Sequence, residues 1–406
     1  MDGIEELLRV LDVSDSDEET DSASVANSEL HLANLKLLEH IGGFEKYELL
    51  PDDIKKYMLS FMSFKTRSML KCCSTKCMDL DYDTPIKIYS MSIRDSMKTK
   101  DEYCDEDKAN IEVEINLVKD ADEENHIKFA FVDDYYNETS AACDMMHVKY
   151  KNNQKVVTSM PCEEMYYEEG YDYFYYWLSK SLFRVEKLNI DLVCYPDRPM
   201  EPLKHCKSLR IRNDTYGYLK YWLNLVTDLE YLELVSVHYQ QWMDPRILEM
   251  DVVKNAKNIA FKFLTYFQEK EFLDLKAEII SVYSHNVIGT TLNAFIKKWA
   301  NGQGVKNFKR CTIHHNSDLK YDKNVVLNGL KSISLNNDVN TEEEERDALI
   351  LRAVLNAHRR DSYTIHSFVD SRVSATLLFL SDHVAFIVND ETNVFGTEGG
   401  PIFWVR

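Results

Sequence analysis

A set of three apolar residues, spaced x-x and then x, recurs through the second half of the chain and constrains its fold more than any other feature. It occurs at Val185/Leu188/Ile190, Cys206/Leu209/Ile211, Leu229/Leu232/Leu234 and Ala256/Ile259/Phe261. It returns at Ala277/Ile280/Val282, Phe308/Cys311/Ile313 and Leu330/Ile333/Leu335. The last two positions of each set lie two residues apart, so on a strand they share a face. Successive sets are roughly 20–30 residues apart, the period of stacked supersecondary units. Helical text separates several of them, as at Tyr218–Val226 and Thr291–Ala300. A strand preceded by a helix, repeated, predicts a parallel sheet with helices stacked on one side.

The residue between the last two apolar positions of each set must then face the other way. That gives a row of Asn189, Arg210, Glu233, Ala260, Ser281, Thr312 and Ser334. With strands about 4.8 Å apart the row makes a polar strip about 30 Å long. Extended sheet faces of this kind serve solenoid proteins as binding surfaces, so the strip is the candidate surface for a target protein. The recurring unit resembles an irregular leucine-rich repeat.

The first half of the chain reads differently. Residues Asp12–Asp21 are an acidic, serine-containing run with almost nothing to bury, which predicts a disordered tail over 1–27. Leu30, Leu35, Leu37, Leu38 and Ile41 line a short helix stopped by Gly42-Gly43. A compact helical unit follows to residue 84. Between 85 and 165, the stretches from Ile86, Ile111 and Ile127 alternate at period two, which predicts a β-rich insert. Residues 166–406 form the repeat-like domain, entered through an aromatic helix at Tyr173–Leu182 and a strand from Lys187. The fold class expected is α+β: a small helical unit, a β-rich insert and an irregular repeat-like α/β domain.

Charge narrows the partners. The chain carries 68 acidic against 48 basic residues, a net charge of −20. That balance disfavours nucleic acid and anionic membrane surfaces, both of which are gripped by Lys and Arg. The run Tyr173, Phe174, Tyr175, Tyr176, Trp177 suggests base stacking, but Glu163, Glu164, Glu168, Glu169 and Asp172 beside it repel phosphate, and core packing is the better reading. No apolar run approaches the roughly 18 residues of a membrane span. Met1–Asp12 does not read as a targeting peptide. Nine irregularly spaced cysteines suit a reducing compartment, cytosol or nucleus.

Catalytic text is scarce. No phosphate loop, nucleophile elbow or zinc-protease helix is present, and Gly302-Gln-Gly304 follows a helix rather than a strand. Cys72, Cys73 and Cys77 with distant Cys104 lack the spacing of a structural zinc site. Cys311 with His314 and His315 reads as a core cysteine beside surface histidines. No cofactor, no metal and no enzymatic activity are expected.

The most specific text runs from Leu50 to Arg67. Pro51 preorganises a helix start, and Asp52 and Asp53 complement its dipole. Ile54, Met58, Phe61 and Met62 recur at helical spacing as one apolar face. A second short helix through Met69 and Leu70 ends at Cys72-Cys73-Ser74. Leu50, Pro51, Asp53, Ile54, then Met58, Leu59 and Met62, then Phe64-Lys-x-Arg67, Leu70 and Cys73 make this stretch resemble the F-box. Leu292-Asn-Ala-Phe-Ile-Lys-Lys-Trp-Ala-Asn-Gly, with Phe308 and Ile313, is similar to the F-box-associated domain (type 2) of nematode F-box proteins. Arg359-Arg360-Asp361-Ser362, running into strand-like text at Tyr363–Phe368, Ala375–Leu380 and Val384–Val388, adds to that likeness.

The resemblance implies an adaptor. Leu50, Pro51, Ile54, Met58, Leu59, Met62, Phe64, Leu70 and Cys73 would dock on the linker Skp1, and through it on a cullin–RING ubiquitin ligase. The second domain would present a target protein. The alternative is a repeat-type interaction scaffold with a vestigial F-box and no ligase role.

Overall fold

The computed structural model describes residues 49–95, 110–119, 125–133, 143–151, 154–161, 165–192, 199–238, 241–315, 321–334, 362–380 and 382–389. The expected acidic tail, the helix stopped by Gly42-Gly43 and the Arg359–Asp361 segment lie outside these residues. Two compact units emerge: Met1–Asn189 with Pro196–His205, and Ile190–Tyr195 with Cys206–Arg406.

The described part of the first unit opens with three short helices, α1 (Asp52–Phe61), α2 (Phe64–Lys71) and α3 (Thr75–Tyr82). Pro51 is the N-cap of α1, and Asp52 and Asp53 fill its first turn. Ser63 and Ser74 cap the next two, their hydroxyls accepting from Thr66 N–H and Cys77 N–H. A sheet follows in the order β6-β1-β2-β3-β4-β5. Its strands are β1 (Ile88–Asp95), β2 (Asn110–Asn116), β3 (His126–Asp133), β4 (Cys143–Lys151), β5 (Gln154–Pro161) and β6 (Arg184–Asp191). From β1 to β5 every neighbouring pair is antiparallel.

Helix α4 (Tyr166–Lys180) lies on this sheet. Tyr173, Phe174, Trp177 and Leu178 are at most 1% exposed, so the aromatic cluster is core. Burying each such side chain contributes about 1.5–3 kcal/mol. Tyr173 meets Phe129 at 4.4 Å between ring centroids. The helix approaches β2 so closely that a Cβ on Gly170 would stand 2.8 Å from Ile111 Cγ2. Glycine is required there for contact, not for its backbone angles.

The second unit holds a nine-stranded mixed sheet, β12-β13-β14-β15-β11-β10-β9-β8-β7. The parallel part comprises β7 (His205–Arg212), β8 (Tyr231–Val235), β9 (Asn258–Leu264), β10 (Ile279–Tyr283) and β11 (Arg310–His314). Between these strands come α5 (Tyr216–Leu223), α6 (Asp251–Asn255), α7 (Glu269–Leu273) and α8 (Gly289–Ala300). Short α9 (Lys323–Leu327) and β12 (Ser332–Ser334) follow β11, then β13 (Ser362–His366), β14 (Ser374–Phe379) and β15 (His383–Val388). The first six apolar sets are buried; their last two positions are at most 2% exposed. Polar side chains close the strand ends. Asn213 Nδ2 donates to Leu192 O at 3.0 Å, and Ser284 Oγ donates to Thr265 O at 2.8 Å.

The expected fold class is overturned. Among the described residues both units are dominated by sheet. The second unit is a mixed sheet in place of a repeat-like stack. The parallel series stops at β11 because β15 occupies its edge, antiparallel, with Phe386 opposite Cys311 and Val384 opposite Ile313. Those two apolar residues complete the buried row that a seventh parallel strand would have supplied. The seventh set accordingly fails: Ile333 is 55% exposed on β12, which pairs antiparallel with β13.

Candidate functional site

Two surfaces can serve recognition, one in each unit. The first is on α1. Ile54, Tyr57 and Phe61 follow helical i, i+3, i+7 spacing and are 43%, 64% and 73% exposed. Tyr57 and Phe61 touch edge to face at 4.8 Å. Leu49 before the helix and Met69 on α2 are also solvent-facing. A surface apolar stripe of this kind is a candidate interaction site.

The residues implied for Skp1 docking separate into three groups. Pro51, Ile54 and Cys73 are exposed; Leu50, Met58, Met62, Phe64 and Leu70 are half-buried; Leu59 is fully buried. Leu59 thus packs inside the unit, beside the α1 stripe rather than in it. Phe64 rests on Trp177 of α4 at 5.6 Å. Leu49, Tyr57, Phe61 and Met69 were not among the docking residues that the resemblance implies. Spacing could have found Tyr57, which sits one turn from both Ile54 and Phe61.

The three helices are fastened to their unit by charge. Arg67 Nε donates to Asp81 Oδ1 at 2.6 Å, and its other nitrogens donate to Pro85, Asp81 and Thr84 carbonyls. Lys71 Nζ lies 3.0 Å from Asp81 Oδ2. Lys180, the last residue of α4, donates to the carbonyls of Asp81 (3.1 Å) and Tyr82 (2.5 Å), so it caps the C-terminal end of α3. Burial pulls the Lys180 amine down to about 8.

The second surface is the face of the second unit's sheet opposite the buried rows. Arg210, Glu233, Ala260, Ser281 and Thr312 stand in one transverse row, each paired with the next. Asn189 lies on β6 within the first unit. Ser334 does not join the row. It pairs with Tyr363, and through Leu377 and Phe386 its row leads to buried Cys311.

Glu233 is 4% exposed yet charged partners surround it. Lys262 Nζ stands 2.8 Å and Arg210 Nε 3.5 Å from Oε1, and Tyr231 OH donates to Oε2 at 3.1 Å. Burial and the neighbouring carboxylate raise the Tyr231 hydroxyl. Near the strand ends Tyr283 stacks on His314 at 4.5 Å, and His383 lies 5.3 Å beyond. Burial, then His383, push His314 down to about 4.

The geometry offers Cys311 and His314 no nucleophilic pairing. Three residues apart on one strand, they point to opposite faces. Burial also raises the Cys311 thiol, against formation of a thiolate. His315 is 8% exposed, a buried rather than a surface histidine. Among the described residues no group of three His, Cys, Asp or Glu is placed to hold a metal ion, and no helix is long and apolar enough to cross a membrane.

No protein-family profile matches the chain, and no solved structure matches it. The chain is similar to a Caenorhabditis elegans protein named as an uncharacterized F-box protein. The two are 24% identical over 359 residues, covering 86% of this chain and 89% of that protein.

Proposed function

We propose that this chain is an F-box adaptor, the substrate receptor of a Skp1–cullin–RING ubiquitin ligase. The observation that carries the reading is the α1 stripe of Ile54, Tyr57 and Phe61, apolar and open to solvent on a proline-started helix. The name of the nematode relative supports it. An apolar helix face entering a hydrophobic groove is a sufficient basis for docking on a Skp1-type linker. The adaptor itself does no chemistry. It raises the effective concentration of a target's lysines near the ubiquitin thioester.

The second unit then acts as the F-box-associated (type 2) domain and presents the target. The stretch that carries this resemblance packs as one cluster: Trp299 of α8 meets Phe386 of β15 at 5.1 Å, and Phe295 meets Phe308 at 5.4 Å. The test is co-expression of the full chain with a nematode Skp1 linker. Co-elution of the two through size exclusion is expected, and a chain that always elutes alone would leave only the scaffold reading.

A further inference from the structure

We propose that the open sheet face of the second unit, over β7–β11, binds an acidic segment of a target protein through Arg210, Lys262 and Arg310. Calling the occupant a target rests on the adaptor reading; the binding itself does not.

The argument begins with a local reversal of charge. A chain with 68 acidic and 48 basic residues should show an acid-rich surface on average. The strand positions on this face hold Arg210, Arg212, Lys262 and Arg310 against the lone carboxylate of Glu233. Arg212 is matched by Asp191 at 3.2 Å. Glu233 is shared between Arg210 and Lys262. Among the described residues no carboxylate pairs with Arg310, which is half-buried and whose pKa burial lowers. A cation held that way is a preorganised site for an incoming anion.

Shape agrees with charge. Arg310, opposite Ile279, and Lys262, opposite Val235, stand in the rows on either side of Ala260, Ser281 and Thr312. An extended segment laid along that row of short side chains has a cation on each side. The cations remain reachable, with 36% of the Arg210 and 26% of the Lys262 side chain exposed. A nucleic acid would meet the field of the whole chain, −20, along its length. A short acidic segment has to match only these few cations.

The test is fluorescence anisotropy on the full chain with labelled short peptides: alternating Glu and Ala, the same with phosphoserine for Glu, and the same with Gln. Oligo-dT is the fourth probe. The Glu or phosphoserine peptide should bind, and the Gln peptide should not. The tighter of the two anionic peptides identifies whether carboxylate or phosphate is the natural charge. Arg310→Gln and Arg210→Gln should each weaken binding about fivefold or more, while Arg246→Gln, whose guanidinium stacks on Tyr216, should change nothing. Arg310→Gln breaks no ion pair among the described residues, and an unchanged melting temperature keeps the comparison fair. The inference is overturned if neither anionic peptide binds, if both variants bind like wild type, or if oligo-dT binds more tightly than the peptides. Skp1 binding, scored on the same samples, fails separately if the adaptor reading alone is wrong.

Discussion

Arg67 on α2 donates its Nε–H to Asp81 on α3 at 2.6 Å, with 4% and 2% of the two side chains exposed. A pair so far from water stabilises little relative to an apolar pair, but breaking it leaves a buried charge. Arg67→Ala should therefore destabilise the first unit by about 3 kcal/mol, the lower end of the usual range because Lys71 still faces Asp81. Chemical denaturation followed by tryptophan fluorescence checks this through Trp177, which contacts Phe64 of the same helix. A loss below about 1 kcal/mol would mean that water reaches Asp81 when the guanidinium is gone.

Thiol reactivity should divide by location. Cys72 and Cys73 are exposed, whereas Cys206 and Cys311 are buried. Brief alkylation of the native chain should label Cys72 and Cys73 and spare Cys206 and Cys311 until denaturant is added. Bound linker should slow labelling at Cys73. Peptide mass spectrometry reads both results.

His314 gives the second unit a defined acid sensitivity. Its folded pKa, about 4, lies below its ordinary value of 6.5, so the unfolded chain binds the proton more readily between those pH values. Stability is thus fully retained above about 6.5 and falls as pH drops toward 4. His383 and His315 disfavour the imidazolium, and Asp382 opposes them only in part. His314→Phe keeps a ring on Tyr283 and removes the titration. The variant should lose about 2 kcal/mol less than wild type on going from pH 7 to pH 4.5. Equal acid losses in the two proteins would place the titration elsewhere.

What the sequence made legible follows from which residues report locally. Pro51 marks a helix start by its own chemistry, and α1 begins there; Ser74, read as the end of the second helix, instead caps the start of the third. The apolar sets from Val185 to Ile313 report burial at period two, and all six are buried. The strand order was not legible, because nothing in Leu330 or Ile333 says that β15 will take the edge of β11 first. Ser334 was misplaced for that reason. On α1 the helical period found the apolar residues but not their destination. Leu59 and Phe61 are both apolar, and only packing in the folded unit, where α1 meets α3, sends Leu59 inward and leaves Phe61 in solvent. The Arg67–Asp81 pair was equally hidden, since charge pairing across fourteen residues has no local signature.

The account rests on α1 as the docking face, and the most direct measurement is the affinity of the purified full chain for a nematode Skp1 linker. Wild type should be compared with Ile54→Asp/Phe61→Asp by biolayer interferometry. Both positions are open to solvent, so the double variant should melt at the wild-type temperature. Placing two carboxylates in a hydrophobic groove should cost binding about a hundredfold or more. Equal affinity for the two proteins would contradict the docking face and, with it, the adaptor role built on it.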